Sequence, residues 1–280
     1  MRVAEALVFA RALGVARLDA QLLLAHHLQR ERTWLLAHDD AAIDDTALNA
    51  FQADLHRRAD DVPLSHLTGH REFHGLSLQV GPDVLVPRPE TEGLVDWALE
   101  IMRAQAPSSP QQQVADLGTG SGAIALALKN ARPAAQVTAT DVSVAALAVA
   151  RDNAERLGLT LEFAAGSWWQ ALPGRRFHLI VSNPPYIAAD DPHLHALRHE
   201  PRHALTAGGN GLHAIEQIVS GAAAHLHPGG WLLLEHGHDQ ADAVAGRLAS
   251  AGFVDITTRH DLAGLARCTG GRHSAKNHSG

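Results

Sequence analysis

Four consecutive residues, Asn183-Pro184-Pro185-Tyr186, carry the most specific chemical pattern in the chain. Two prolines stiffen the segment, so the chain itself sets where the Asn183 side chain and the Pro184 carbonyl point. Both present acceptor oxygens. A planar NH2 group has a delocalised lone pair and is a weak nucleophile. Two acceptors placed for its two hydrogens would hold it and aim its nitrogen at an electrophilic methyl carbon. Such catalysis is positioning plus electrostatics and needs no covalent enzyme intermediate. Tyr186 would wall the pocket against the planar group. The bland alternative is a proline-rich surface turn. The apolar run Phe177 to Ser182 argues against it, because it reads as a strand delivering Asn183 at its end.

A second constellation lies upstream. Val114-Ala115-Asp116-Leu117 reads as a strand and runs into Gly118-Thr119-Gly120-Ser121-Gly122, followed by a helical stretch. Glycines permit a tight turn and let backbone N–H groups approach a ligand closely. The spacing lacks the last glycine of GxGxxG, which points away from nicotinamide cofactors. Asp141 ends the next apolar run, roughly twenty residues beyond the glycines, where a carboxylate can accept both ribose hydroxyls of an adenosine. Its alternative is a helix N-cap. Trp168 follows the third run, where an adenine ring would lie; its alternative is a buried core indole.

Both constellations need strand ends to hold them. From Val114 onward short apolar runs (Val114–Leu117, Val137–Thr140, Leu161–Phe163, Phe177–Val181, Trp231–Leu234, Phe253–Ile256) alternate with helical stretches, including Ala123–Asn130, Val144–Leu157, Leu212–Leu226 and Gln240–Ala251. Repeated β-α alternation implies a mostly parallel sheet covered on both faces, an α/β fold. Residues 1 to about 62 read instead as a small helical module, with Asp19 as an N-cap. Between them Leu76, Leu78, Val80, Val84 and Val86 alternate around Gly81-Pro82-Asp83, so a β-hairpin turning at that tripeptide is expected. The expected organisation is a helical substrate-docking domain at 1–70, a hairpin linker at 71–87, a catalytic domain at 88–273 and a disordered tail at 274–280.

Composition excludes several other classes. The formal net charge is -7, with lysine only at Lys129 and Lys276, so there is no basic footprint for duplex nucleic acid. The single cysteine, Cys268, rules out an internal disulfide and fits a reducing compartment. Glu5, Arg11, Arg17 and Asp19 interrupt the apolar start, and no run reaches membrane-span length, so neither export nor a membrane is expected. Twenty histidines include the pairs His193/His195 and His236/His238, but without metal-ligand spacing.

The Asn-Pro-Pro-Tyr motif, the glycine loop and Asp141 resemble the amino-methyltransferases of the seven-stranded, Rossmann-like S-adenosylmethionine-dependent fold. His66-Leu67-Thr68-Gly69, Arg71-Glu72-Phe73, Leu85-Val86-Pro87-Arg88-Pro89-Glu90-Thr91-Glu92 and Leu232-Leu233-Leu234-Glu235-His236-Gly237 are similar to the bacterial release-factor glutamine methyltransferases. That resemblance runs from the helical module to about residue 273. It implies methylation of the glutamine of the Gly-Gly-Gln loop of class 1 release factors. It further implies that Gly118, Thr119, Gly120, Ser121, Gly122, Asp141, Trp168 and Asn183 contact S-adenosylmethionine, and that Asn183, Pro184, Pro185 and Tyr186 hold the glutamine amide. Phe73 and the Pro87–Glu92 segment, Arg88 included, would close the pocket. Ser167 stands where relatives often carry an acid. A cytoplasmic monomer is expected, with release factors as partners and no direct nucleic-acid contact. The rivals are a ribosomal-protein glutamine methyltransferase, an adenine-N6 DNA methyltransferase, a non-catalytic S-adenosylmethionine-binding module and a dehydrogenase. The PRPETE segment tips the choice from the first. No added recognition domain supports the second, and acids outnumber arginines in residues 1–86.

Overall fold

The computed structural model describes residues 1–106, 111–206 and 208–274. The expected tail therefore falls almost wholly outside the described residues. The chain divides into two compact units, Met1–His70 and Arg71–Gly280.

The first unit holds α1 (Val3–Ala12), α2 (Arg17–Leu28), α3 (Arg32–Ala37), α4 (Asp45–Ala59) and α5 (Leu64–Thr68). Apolar positions at helical spacing meet in a core of Leu23, Leu24, Leu35, Phe51 and Leu55. Asp44 caps α4 by accepting from Ala47 N at 2.9 Å. Asp19 is not a cap: α2 already starts at Arg17, and the carboxylate reaches the Arg58 guanidinium at 2.8 Å. An acid in a first helical turn gains from the dipole, which is why sequence alone confuses the two roles.

The hairpin of β1 (His70–Phe73) and β2 (Leu76–Gln79) begins at the last residue of the first unit and otherwise belongs to the second. Its turn is His74-Gly75, not Gly81-Pro82-Asp83. Both turn residues have positive φ, 48° and 77°, as the twist of a two-residue hairpin requires. Val80, Val84 and Val86 are buried as their alternation suggests, but in a chain segment that bonds to side chains, Val86 N donating to Glu200 Oε2 at 2.9 Å. Burial of alternate residues therefore marks an extended wall here, without a second strand.

Then follow α6 (Glu92–Gln105), β3 (Gln113–Leu117), α7 (Ala123–Ala131), β4 (Gln136–Asp141), α8 (Val144–Leu157), β5 (Glu162–Ala165), β6 (Phe177–Ser182), α9 (Arg202–Leu205), α10 (His213–His225), β7 (Leu226–Glu235), α11 (Ala241–Ser250), β8 (Phe253–His260) and β9 (Ala266–His273). The seven strands β3–β9 form one sheet in the order β5-β4-β3-β6-β7-β9-β8. Five are parallel, and β9 runs antiparallel to both β7 and β8. One core packs residues of α6 and α7 with Leu179 and Val181; the opposite face packs α10 and α11 with Ile180, Leu232 and Leu234. The alternation along β6 and β7 thus feeds two cores, as a doubly covered sheet demands.

Strand order reverses between β3 and β6, and that placement sets up the site. Chains leave a reversal point in opposite directions, opening a crevice at the carboxyl ends of the two strands. Leu117 pairs with Ser182 at those ends, and Ser182 Oγ donates to the Leu117 carbonyl at 2.6 Å. Gly118 and Asn183 therefore emerge side by side. Among the described residues no helix is long and apolar enough to cross a membrane.

Candidate active site

The crevice is lined by Gly118, Gly120, Asp141, Val142, Ala146, Gly166, Ser167, Trp168 and Pro185, and closed by Asp83-Val84-Leu85 and His203-Ala204. Gly118 and Gly120 of the glycine loop, Asp141, Trp168 and, of the proline motif, Pro185 thus share one cavity, with Asn183, Pro184 and Tyr186 outside its lining.

The glycine loop is held from both sides. Gly118, Gly120 and Gly122 have φ of 72°, 54° and 86°, open to glycine and strained for other residues. Thr119 Oγ1 donates to Asp116 Oδ2 at 2.6 Å, and Thr119 N to the Thr140 carbonyl at 2.8 Å. Asn153, fully buried on α8, donates to the carbonyls of Ser121 and Gln79, each at 3.0 Å, and accepts from Gln79 N. It joins the loop to β2. Asp116 lies fully buried under the loop, and burial pushes its carboxyl up to about 7.

Asp141 is not the cap of α8; Ser143 is, accepting from Ala146 N at 3.1 Å. The Asp141 oxygens accept from Gly120 N at 2.9 Å and Ser143 N at 2.8 Å. Two backbone donors fix the carboxylate, and lone pairs on both oxygens remain for hydroxyls in the crevice. Trp168 has a strained φ of 46°, and its ring would lie 3.5 Å from a Cβ placed on Gly118. Its Nε1 donates to Gln217 Oε1 at 2.9 Å, so the indole is at once partly packed on the core and part of the cavity wall. The cradle suits an adenosine: a fixed carboxylate, a glycine-made floor and an aromatic wall. Ser167 supplies a neutral side chain beside it.

In the motif, Asn183 Nδ2 donates to Thr91 Oγ1 at 3.3 Å. One of the two N–H donors of the amide is thereby used. Among the described residues no protein group donates to Asn183 Oδ1 or to the Pro184 carbonyl. Thr91 is buried and belongs to a short 3₁₀ turn, Pro89–Thr91, so the Pro87–Glu92 segment does meet the motif, through its threonine. Tyr186 OH donates to Glu235 Oε1 at 3.4 Å, and Gln240 Nε2 donates to the Tyr186 carbonyl at 3.0 Å. Burial raises the Tyr186 phenol, as does nearby Glu235, so the hydroxyl keeps its proton. Burial likewise pushes the Glu235 carboxyl up to about 7.

Two expected pocket residues sit elsewhere. Phe73 is 1% exposed, in the apolar core with Leu76, Leu94 and Val95, so it packs the fold and does not line the crevice. An aromatic side chain in a half-buried hairpin turns to the core side of the pleat. Arg88 places its guanidinium on Glu200 Oε1 at 2.5 Å, and the same carboxylate accepts from Val86 N. That pairing anchors the 83–88 segment to the stretch before α9. His203, Gln217 and Asn153 carry no motif of their own, and Glu235, though within the Leu232–Gly237 stretch, is given no role by the sequence. No group of three His, Cys, Asp or Glu suited to a metal occurs among the described residues. His236 is a buried core residue, bonded to Thr269 Oγ1 at 2.7 Å.

Residues 3–69 match the model of a PrmC N-terminal domain and residues 91–215 that of a Methyltransferase small domain. A release factor glutamine methyltransferase of Burkholderia pseudomallei is 51% identical over 271 residues, 94% of each chain. One from Xylella fastidiosa is 48% identical over 270 residues, 95% of this chain and 97% of its own. The chain belongs to the release factor glutamine methyltransferase family. Among solved structures, a Thermus thermophilus 16S rRNA methyltransferase in complex with AdoMet and guanosine superposes with a TM-score of 0.52 at 20% identity, covering 72% of this chain and 49% of its own. At that identity the likeness concerns the fold. Membership of the family covers both units of the chain, the helical one included.

Proposed function

We propose that this enzyme methylates the side-chain amide nitrogen of the glutamine in the Gly-Gly-Gln motif of class 1 release factors. It is an S-adenosylmethionine-dependent methyltransferase acting on a release-factor glutamine. When bound, S-adenosylmethionine supplies an electrophilic sulfonium methyl. In this reading Asp141 accepts the ribose hydroxyls, Trp168 packs on the adenine and the Gly118–Gly122 backbone admits the rest of the molecule.

The observation that carries the reading is the Asn183 amide, tied at its nitrogen to Thr91 and open at its oxygen. Asn183 Oδ1 and the Pro184 carbonyl accept the two hydrogens of the glutamine NH2. That fixes its plane and would direct the nitrogen toward the crevice that Pro185, next in the chain, lines together with Asp141 and Trp168. Pro185 and Tyr186 exclude water from the planar group, which strengthens both hydrogen bonds. The nitrogen would take the methyl carbon as that carbon's bond to the sulfonium sulfur breaks, the electron pair staying on sulfur and S-adenosylhomocysteine leaving; one N–H proton would pass to water, so the product is a neutral secondary amide. The helical unit at 1–70 is assigned, in the same reading, to docking the protein substrate.

The test is transfer of labelled methyl to intact release factor, to the same factor with its Gly-Gly-Gln glutamine changed to alanine, to ribosomal proteins and to DNA. Label on the intact factor alone is the expected result. Label on the alanine variant would move the target residue, and label on ribosomal protein or DNA would move the substrate.

A further inference from the structure

The crevice is covered from two directions by short segments that belong to no strand: Asp83-Val84-Leu85 on one side and His203-Ala204 of α9 on the other. Both have modest apolar anchorage. Val84 packs with Val80 and Ala146 in a small cluster apart from the two cores of the sheet. The four-residue helix α9 buries Leu205. What joins the two covers is one carboxylate. Glu200, just ahead of α9, has a side chain only 2% exposed, a burial that an acid tolerates when it is paired. Its Oε2 accepts from Val86 N at 2.9 Å and its Oε1 from Arg88 Nη2, 112 positions away in the chain. The two donors flank Pro87, whose carbonyl accepts from Arg71 Nε at 3.3 Å.

Each cover is also tied to the Asn183–Tyr186 motif. Beyond Arg88 the first leads to Thr91, which accepts from Asn183 Nδ2. The second ends at Leu205, whose carbonyl accepts from the N–H of Ile187, the residue after Tyr186, at 3.0 Å. The Glu200 bonds therefore close a ring: Asn183 to Thr91, back along the chain to Val86, across to Glu200, forward through α9 and across again to Ile187. We propose that Glu200 and Arg88 are positioning residues for the cofactor, forming a clasp that holds both covers over the crevice and must open to release the molecule beneath. The inference rests on the reading of this crevice as the S-adenosylmethionine site.

With the clasp made, folding itself orders the two covers. With it broken, cofactor binding has to order them, and affinity falls by the fraction of molecules in which they stand in place. Such a loss appears mainly as faster release. The Asn183–Thr91 bond is a separate link of the ring, so turnover at saturating cofactor is kept.

The experiment measures cofactor affinity by calorimetry, release of labelled S-adenosylmethionine chased by unlabelled, KM for cofactor, kcat and thermal midpoint. The variants are Arg88→Met, Arg88→Lys, the Glu200→Gln/Arg88→Met double and, as a control, Asp141→Ala. Arg88→Met is expected to weaken cofactor binding about tenfold or more, the loss of one hydrogen bond to a charged group, with release faster to match and kcat at saturation kept. Arg88→Lys, which retains a charged donor, should restore most of the affinity. The double variant leaves no buried charge unpaired, so its thermal midpoint should return toward wild type while release stays fast. Wild-type affinity in Arg88→Met overturns the proposal. So does affinity in the double variant that recovers together with its midpoint, since the pair would then serve stability alone. So does a fall in kcat with cofactor affinity unchanged. Normal cofactor affinity in Asp141→Ala would sink the reading of the crevice, whereas weakened binding there beside an unaffected double variant sinks the clasp alone.

Discussion

The cofactor cradle and the amide clamp sit at neighbouring strand ends but are built from different materials. The cradle is mostly backbone: three glycines at positive φ, and a carboxylate fixed by two main-chain N–H groups. The clamp is mostly side chain, with Asn183 held by a threonine 92 positions away and Tyr186 by a glutamate 49 away. Backbone geometry is specified by local sequence and is rigid once folded. A side-chain clamp depends on several elements arriving together, and its polarity can be inverted without moving an atom far. Damage to the cradle should therefore appear as lost affinity or stability, and damage to the clamp as lost turnover.

The strongest way to break that contrast is Asn183→Ala. Turnover should fall roughly 100- to 1,000-fold, the scale for removing one preorganised hydrogen-bonding group from a reacting centre. Cofactor affinity by calorimetry should change only slightly, since Asp141, Trp168 and the glycine loop are untouched. Single-turnover kinetics with release factor decides it, and full activity would remove Asn183 Oδ1 from the mechanism.

Asp141→Ala is the mirror experiment. Losing charge-assisted bonds to two ribose hydroxyls should weaken cofactor binding by about 10- to 100-fold, from roughly 1.5–3 kcal/mol. At saturating cofactor, kcat should recover most of the way to wild type. A variant with normal affinity and collapsed kcat would place Asp141 with the clamp.

The same contrast explains what could be read from the sequence. The glycine loop, Asp141 and the Asn-Pro-Pro-Tyr motif are contiguous or follow a strand by a fixed count, and hydrophobic period delivers the strands. Thr91 as the partner of Asn183, Asn153 beneath Ser121 and Glu235 behind Tyr186 depend on which strands become neighbours, and the order β5-β4-β3-β6-β7-β9-β8 is not a local property. Phe73 shows the opposite case: it is near a motif in the chain, yet its side chain lies in the apolar core and not in the crevice lining. Gly81-Pro82-Asp83 is the stronger turn sequence, whereas the actual hairpin turn, His74-Gly75, signals only through its second residue.

Within the cradle, two glycines separate strain from space. Gly122→Ala places a Cβ 2.9 Å from Leu126 Cδ1 and 3.2 Å from Ala150 Cβ at φ 86°. Overpacking of that kind costs about 1–3 kcal/mol, to which backbone strain adds. Gly120→Ala has φ 54° and nothing within 4 Å, so strain alone applies, about 1–2 kcal/mol. Urea midpoints should rank Gly122→Ala below Gly120→Ala below wild type. Equal midpoints would mean that α8 yields to the added methyl.

A pH-dependent test concerns the acids beneath each region. Asp116 under the cradle and Glu235 under the clamp are both pushed up to about 7 by burial. A carboxyl raised on folding is protonated more readily in the native state than in the unfolded one. Its contribution is most favourable at low pH and becomes a cost as pH rises from the ordinary carboxylate range through about 7. Asp116→Asn removes the charge while keeping the shape. Its stability relative to wild type should therefore climb between about pH 4 and 7 and level off above, while kcat at saturating cofactor keeps its own pH profile. A flat difference would show that Asp116 is ionised in the folded protein across that range. A changed kcat profile would show that the cradle's acid reaches the chemical step, and the division between the two regions would fail at its base.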